Sequence, residues 1–202
     1  MLFIIFRLIF GILVFVIFAL LIRKFCTKRK KRKLMFALVI ALILTTITAL
    51  IPIENAFITF SSPQSAYYYN NTGNIKLIVN GTNTDLIVAA KGNTYFYNIV
   101  PKSNDGWKLG MGADTKRIVQ TISDGISIYI YKYKNSNDYY ITILNTKGGQ
   151  LNISDNCASE FHSINQVNTA LNKTLYTYYA YINKYDDQYS LTINGETIKL
   201  QS

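Results

Sequence analysis

The chain has one histidine, His162, and a cysteine five positions before it, Cys157. Nucleophilic or metal chemistry would have to start from these two. With no second His and no CxxC, a zinc site would need carboxylates gathered from loops. A serine hydrolase would need His162 joined by a Ser and an acid, and no nucleophile-elbow pattern surrounds any Ser. Side chains on one helix face come three or four apart, so a separation of five does not pair the thiolate with the imidazole. His162 is therefore read as an ordinary surface or boundary residue and Cys157 as buried and inert.

The acids are scattered among apparent turns: Asp85, Asp105, Asp114, Asp124, Asp138, Asp155, Asp186 and Asp187. A pair of them at suitable separation could hydrolyse a glycosidic bond. Asp186 and Asp187 are adjacent, however, and read as turn residues, and no twelve-residue calcium loop is present. Gly106, Gly110 and Gly112 lie in DGWKLGMG. They lack the strand-to-helix context and the GKS or GKT ending of a phosphate loop, so turn and bulge roles are expected. No cofactor is implied, and catalysis is not the expected activity.

What remains is aromatic surface. Sixteen tyrosines supply rigid rings with a polar tip, a composition suited to binding protein, peptide or glycan. The expected ligand or partner surface is Tyr129, Tyr131 and Tyr133, with Trp107.

These residues need a sheet to hold them, and from Ile75 the apolar period is two. Strands are expected around 75–79, 86–88, 94–100 and 107–111, then 126–133 and 139–144, and finally 175–182, 189–193 and 197–200. Ile126, Ile128 and Ile130 should face the core. The opposite tyrosine face either lies under another layer, hydroxyls reaching the rim, or is exposed. Asn80-Gly81, Gly92-Asn93 and Asn194-Gly195 mark hairpin turns. Phe161, Ile164, Val167 and Leu171 recur at helical spacing, predicting one amphipathic helix near 158–171 capped by Asp155 or Asn156. The expected domain, 75–202, is mainly β, with about 8 to 10 short antiparallel strands and that helix.

Ahead of it lie two apolar stretches, predicting a two-helix membrane anchor over 1–53 with spans of about 2–22 and 34–53. Residues 34–53 carry no charge, and a helix of that length rises about 30 Å, enough for the hydrocarbon core. The first span contains Arg7, read as a boundary residue, with pairing to an acid on a partner as the alternative. The loop 23–33 holds Arg23, Lys24, Lys28, Arg29, Lys30, Lys31, Arg32 and Lys33. Such a loop is expected to stay cytoplasmic and to contact lipid head groups. The C-terminal domain would then be extracytoplasmic on a multi-pass plasma-membrane protein. Cys26 and Cys157 would lie on opposite sides, unable to pair. Residues 54–74 read as a stalk or first strand. A late signal peptide beginning at Lys28 is the weaker alternative, since no small-x-small cleavage site follows at a suitable distance.

Charge follows the same division. Nine basic residues and no acid precede Glu54, whereas twelve basic and eleven acidic residues follow from it onward. The basic pI therefore reflects the anchor, and no nucleic-acid partner is implied. The composite expectation is a membrane-anchored extracytoplasmic binding or accessory module, contacting membrane lipid and an envelope protein or a cell-wall or extracellular ligand. The alternatives are a surface hydrolase acting on wall polymer through carboxylates, and a subunit passing a signal from outside to inside.

Overall fold

A computed structural model describes residues 2–25, 35–36, 38–44, 46, 52–110, 115–134, 136–168, 173–198 and 200. The chain forms two compact units, residues 1–58 with 68–71, and residues 59–67 with 72–202.

In the first unit, helix α1 spans Leu2–Phe25. Its side chains from Ile5 through Leu21 are largely exposed, Leu8 and Ile12 each at 60%. A stripe pattern is absent because the helix is apolar all round, which suits lipid rather than a protein core. Among the described residues, Ile5–Lys24 is the one stretch long and apolar enough to cross a membrane.

This overturns the predicted two-helix hairpin and, with it, the multi-pass placement and the outer location inferred from two crossings. Parts of the second expected span are helical, and Thr46 Oγ1 donates to the Leu42 carbonyl at 2.8 Å. Absence of charge is necessary for a span but does not by itself make one. Residues 34, 37, 45 and 47–51 lie outside the described residues.

A 3-10 turn, Ile53–Ala56, carries Glu54, which is fully buried. Arg7 meets it with Nε 3.1 Å from Oε1 and Nη2 3.4 Å from Oε2. The acid that pairs Arg7 thus comes from its own chain. Tyr69 lies near both charges, and burial, then Glu54, push its hydroxyl pKa up.

The expected stalk or first strand is instead helix α2, Pro63–Asn70. Ser62 caps it, receiving the Ser65 amide on Oγ at 3.1 Å, while Ser65 Oγ accepts the Ser62 amide at 3.2 Å. A serine cap with proline at the first helical position was a readable start signal.

Among the described residues, the second unit has twelve strands in three sheets. β1 (Asn74–Asn80), β2 (Thr84–Lys91), β3 (Thr94–Ser103) and β4 (Gly106–Trp107) form an antiparallel meander. β5 (Thr115–Ser123), β6 (Ile126–Tyr133), β7 (Tyr139–Asn145), β10 (Lys173–Ile182) and β9 (His162–Asn168) pair in that order. β12 (Glu196–Ile198), β11 (Leu191–Ile193) and β8 (Ile153–Asp155) complete the set.

The five-stranded sheet is covered on both faces. Ile128, Ile130, Ile141, Ile143, Ala180 and Ile182 pack with Leu191 and Ile193 of β11. On the other face Tyr133, Tyr140 and Tyr179 pack with Val79, Leu86, Val88 and Ile99 of the meander. The expected isoleucine core is present, and the tyrosine face lies under another layer. Each fully buried isoleucine contributes about 1.5 to 3 kcal/mol, so both interfaces stabilise substantially.

Asn194 and Gly195 both adopt positive φ, 51° and 87°. That is the backbone a two-residue type I′ hairpin requires, here between β11 and β12. Asp124 and Gly125, at 45° and 73°, make the same turn between β5 and β6, a strand pair whose first member the sequence reading omitted.

The predicted helix near 158–171 is replaced by β9. His162 through Asn168 pair with β10 in an unbroken antiparallel register. Ile164 packs against the tyrosine-face core while Val167 is 69% exposed, so the supposed apolar stripe does not share a face. The segment SINQVN is poor in strong helix formers, and the ladder offered by β10 decides its conformation. Residues 169–171 of the expected helix lie outside the described residues.

Candidate functional site

The four aromatic residues expected to form a binding surface differ in exposure and contacts. Tyr133 is 7% exposed and belongs to the core. Trp107 is half-buried, donates its indole N–H to Asp85 Oδ2 at 2.6 Å, and its backbone pairs with Phe60 in both directions at 2.9 Å. Tyr129 and Tyr131 remain at the half-buried margin, with ring centroids 6.3 Å apart. Tyr97 of β3 stands 4.8 Å from Tyr131, and the Arg117 guanidinium lies 5.7 Å from the Tyr129 ring centre. Burial, then the hydrogen bond with Tyr97, raises the Tyr131 hydroxyl pKa. Tyr97 and Arg117 come from different strands, so sequence spacing did not group them.

Of the basic residues expected at lipid head groups, Arg23 and Lys24 form the exposed last turn of α1. Lys28, Arg29, Lys30, Lys31, Arg32 and Lys33 lie outside the described residues, as does Cys26.

Two scattered acids turn out to be buried fastenings. Asp138 is fully buried at the start of β7. Its Oδ2 accepts the Asn83 amide at 2.7 Å and the Thr84 hydroxyl at 2.8 Å, while Oδ1 accepts Asn83 Nδ2 at 3.3 Å and the Tyr181 hydroxyl at 3.2 Å. Tyr140 donates to the Thr84 carbonyl at 2.7 Å. One carboxylate and two tyrosine hydroxyls therefore clasp the β1–β2 turn to the central sheet. Gly81 sits in that clasp because a Cβ would fall 2.4 Å from the Tyr140 hydroxyl and 2.7 Å from the Thr84 carbonyl.

Asp85, also fully buried, takes the Trp107 indole on Oδ2. Lys102 Nζ is 2.9 Å from Asp85 Oδ1 but donates to the Gly81 carbonyl at 2.6 Å. Among the described residues, Asp85 Oδ1 has no aligned hydrogen bond and faces the ammonium charge. Close approach of the ammonium compensates the buried carboxylate without directional donation.

An open cleft lies elsewhere in the same unit. It has a volume of about 410 Å³ and is bounded by the end of β1 (78–80), the loop 157–160, and His162, Tyr181 and Asn183. Asp155 shapes the loop. Its Oδ1 accepts the amides of Cys157 at 3.1 Å and Ser159 at 2.8 Å, and its Oδ2 accepts the Tyr189 hydroxyl at 3.1 Å. The capping signal seen at Asp155 is thus real, but it organises a loop, with Ala158 at φ 54°. A short acid side chain reaching backbone amides two and four positions on is what competes with helix formation here.

Three reactive side chains therefore share the cleft: Cys157, Glu160 and His162. His162 Nδ1 stands 3.7 Å from Glu160 Oε1, an ion pair only when the imidazole is protonated and too long for a hydrogen bond. The Cys157 thiol points to the Lys184 carbonyl at 3.4 Å. Burial, then Asp155 and Asp186, push its pKa up. A protonated thiol is a poor nucleophile. Among the described residues, no group of three or more His, Cys, Asp or Glu could hold a metal ion. Sequence reasoning dismissed Cys157 and His162 because helical spacing kept them apart, and the loop-plus-strand conformation brings both to one cavity.

Compared with known proteins, the chain matches no family model, no curated protein and no solved structure.

Proposed function

We propose that this protein is a membrane-anchored, non-catalytic binding module, held at the bilayer by α1 and taking its ligand in the cleft beside His162. The observation that carries the reading is the cleft's composition. It is concave and open, with the side chains of Asn80, Asn183, Ser159 and His162 set beside Ile78, Val79 and Ala158, and Glu160 is its one carboxylate among the described residues. Concave sites with a few convergent polar groups are the usual form of a small-molecule site.

The hydrolase alternative needs two carboxyl groups facing each other across such a cleft. Asp85 and Asp138 are both buried and tied to structural partners, and neither lines it. A raised thiol pKa at Cys157 likewise favours binding over covalent chemistry.

What supports a retained anchor over a removable leader is the pair Arg7–Glu54. The guanidinium ties α1 to the turn Ile53–Ala56 through a carboxylate that is fully buried in the intact chain. The intact mass of the protein extracted from its native membrane tests this. A mass that includes residues 2–25 is expected, and a product starting after Phe25 would overturn the anchor.

Binding is tested with the full chain in detergent, incubated with insoluble wall polymer. Retention on the polymer without release of reducing ends is expected. Release of reducing ends that is lost in Glu160→Gln would establish the hydrolase instead.

A further inference from the structure

We infer that the ligand of the cleft is a neutral, hydroxyl-rich molecule, a saccharide of one or two rings; this rests on the binding role proposed above. Charge is the first ground. Among the described residues no Lys or Arg lines the cavity, and Glu160 stands at its rim with a side chain 84% exposed. Asp138 lies directly behind Tyr181, accepting its hydroxyl, and Asp155 lies beneath the loop. A phosphate or carboxylate entering here would lose water and gain no opposite charge.

Hydrogen-bonding capacity is the second ground. Asn80 and Asn183 each offer two donors and an acceptor, and Ser159 and His162 add groups that both give and accept. An apolar ligand would leave these unpaired, which is costly where water is displaced. A sugar presents the matching alternation of hydroxyl donors and acceptors. Tyr181 adds a ring whose hydroxyl is already committed to Asp138 and Thr82, so its contribution is ring carbon and not a free polar tip. An amine would find Glu160, but a solvent-exposed carboxylate adds little to binding, and one ring does not make an aromatic cage. The volume of about 410 Å³ lies toward the small end of ligand sites, which limits the bound portion to one or two rings.

His162 is the chain's sole histidine, so its imidazole carbon-proton signals report on the cleft without assignment ambiguity. The full chain, labelled with ¹³C-histidine in a non-glycosidic detergent, would be titrated with chitotriose, maltotriose, inorganic phosphate and butylamine in turn. A saturable shift with at least one trisaccharide is expected. It should weaken tenfold or more in Asn80→Ala or Asn183→Ala, whose exposed side chains leave the fold intact, checked by an unchanged methyl spectrum. Saturation by phosphate or butylamine alone would overturn the saccharide assignment and leave the cleft as a binding site. No saturable shift with any of the four would overturn both.

Discussion

Arg7 and Glu54, 47 positions apart, meet through two contacts of the guanidinium with the carboxylate, at 3.1 and 3.4 Å, with Glu54 fully buried. The relationship makes a sharp energetic prediction, because a buried charge pair is worth little against an apolar replacement yet costs much to break. Arg7→Leu should destabilise its surroundings by about 3 to 5 kcal/mol, and Arg7→Leu with Glu54→Leu should recover most of that. Limited proteolysis around residues 52–58 reads the difference. The single variant should be cut roughly a hundredfold faster than the parent, and equal rates for single and double variants would show that the pair is not coupled.

The clasp on the β1–β2 turn should be graded. Tyr140→Phe removes one neutral donor from the Thr84 carbonyl and should cost about 1 kcal/mol. Asp138→Ala strips the acceptor from Asn83, Thr84 and Tyr181 together and should cost about 3 kcal/mol or more. Urea midpoints at constant slope measure both. Equal midpoint shifts would mean that the carboxylate is not the hub.

Alkali should unfold the second unit through its tyrosines. Burial pushes Tyr179 from 10.0 up to about 12 and raises Tyr140 and Tyr189 as well. Because these folded-state values exceed the ordinary one, their contribution to stability is complete below about pH 10. It is lost as pH rises through 12. Tyrosinate absorbance at 295 nm should rise in two phases, the second coinciding with loss of the strand signal. A single early phase with the fold intact would contradict the burial.

Cys157 should alkylate slowly. Its thiol pKa is raised by burial and by Asp155 and Asp186, so at neutral pH it holds less thiolate than an ordinary cysteine. In a Cys26→Ser background, the iodoacetamide rate at pH 7 should fall several-fold below that of free cysteine. A rate above the free amino acid would indicate an activated thiol and reopen covalent chemistry at the cleft.

The tyrosine face should divide sharply under alanine substitution. Tyr133→Ala empties a core position and should cost about 3 to 5 kcal/mol. Tyr97, 40% exposed and in contact with Tyr131, should cost about 1 kcal/mol. Thermal melting distinguishes them. Similar losses would mean that the two rings share one environment.

Local pattern made much of the second unit readable before any coordinates. Alternation in Ile126 to Tyr133 assigned a strand and its core face, and Asn194-Gly195 located a hairpin, since both depend on neighbours within a few residues. The serine and proline opening α2 were equally local signals that an emphasis on apolar runs passed over. Near the N-terminus, uncharged sequence over 34–53 suggested a second crossing, but among the described residues only α1 is long and apolar enough for one.

By itself, then, the sequence determined an apolar N-terminal helix, the confinement of excess positive charge to the first 53 residues, and a β-rich remainder with its main turns. Tertiary structure alone decided that His162 to Asn168 is a strand, that Tyr133 is core, that Asp138 is a clasp, and that His162, Glu160 and Cys157 share a cleft. The reason is physical. Alternation specifies that a strand has two faces, but which face meets another layer, and which side chains converge at its edge, depends on partners distant in sequence.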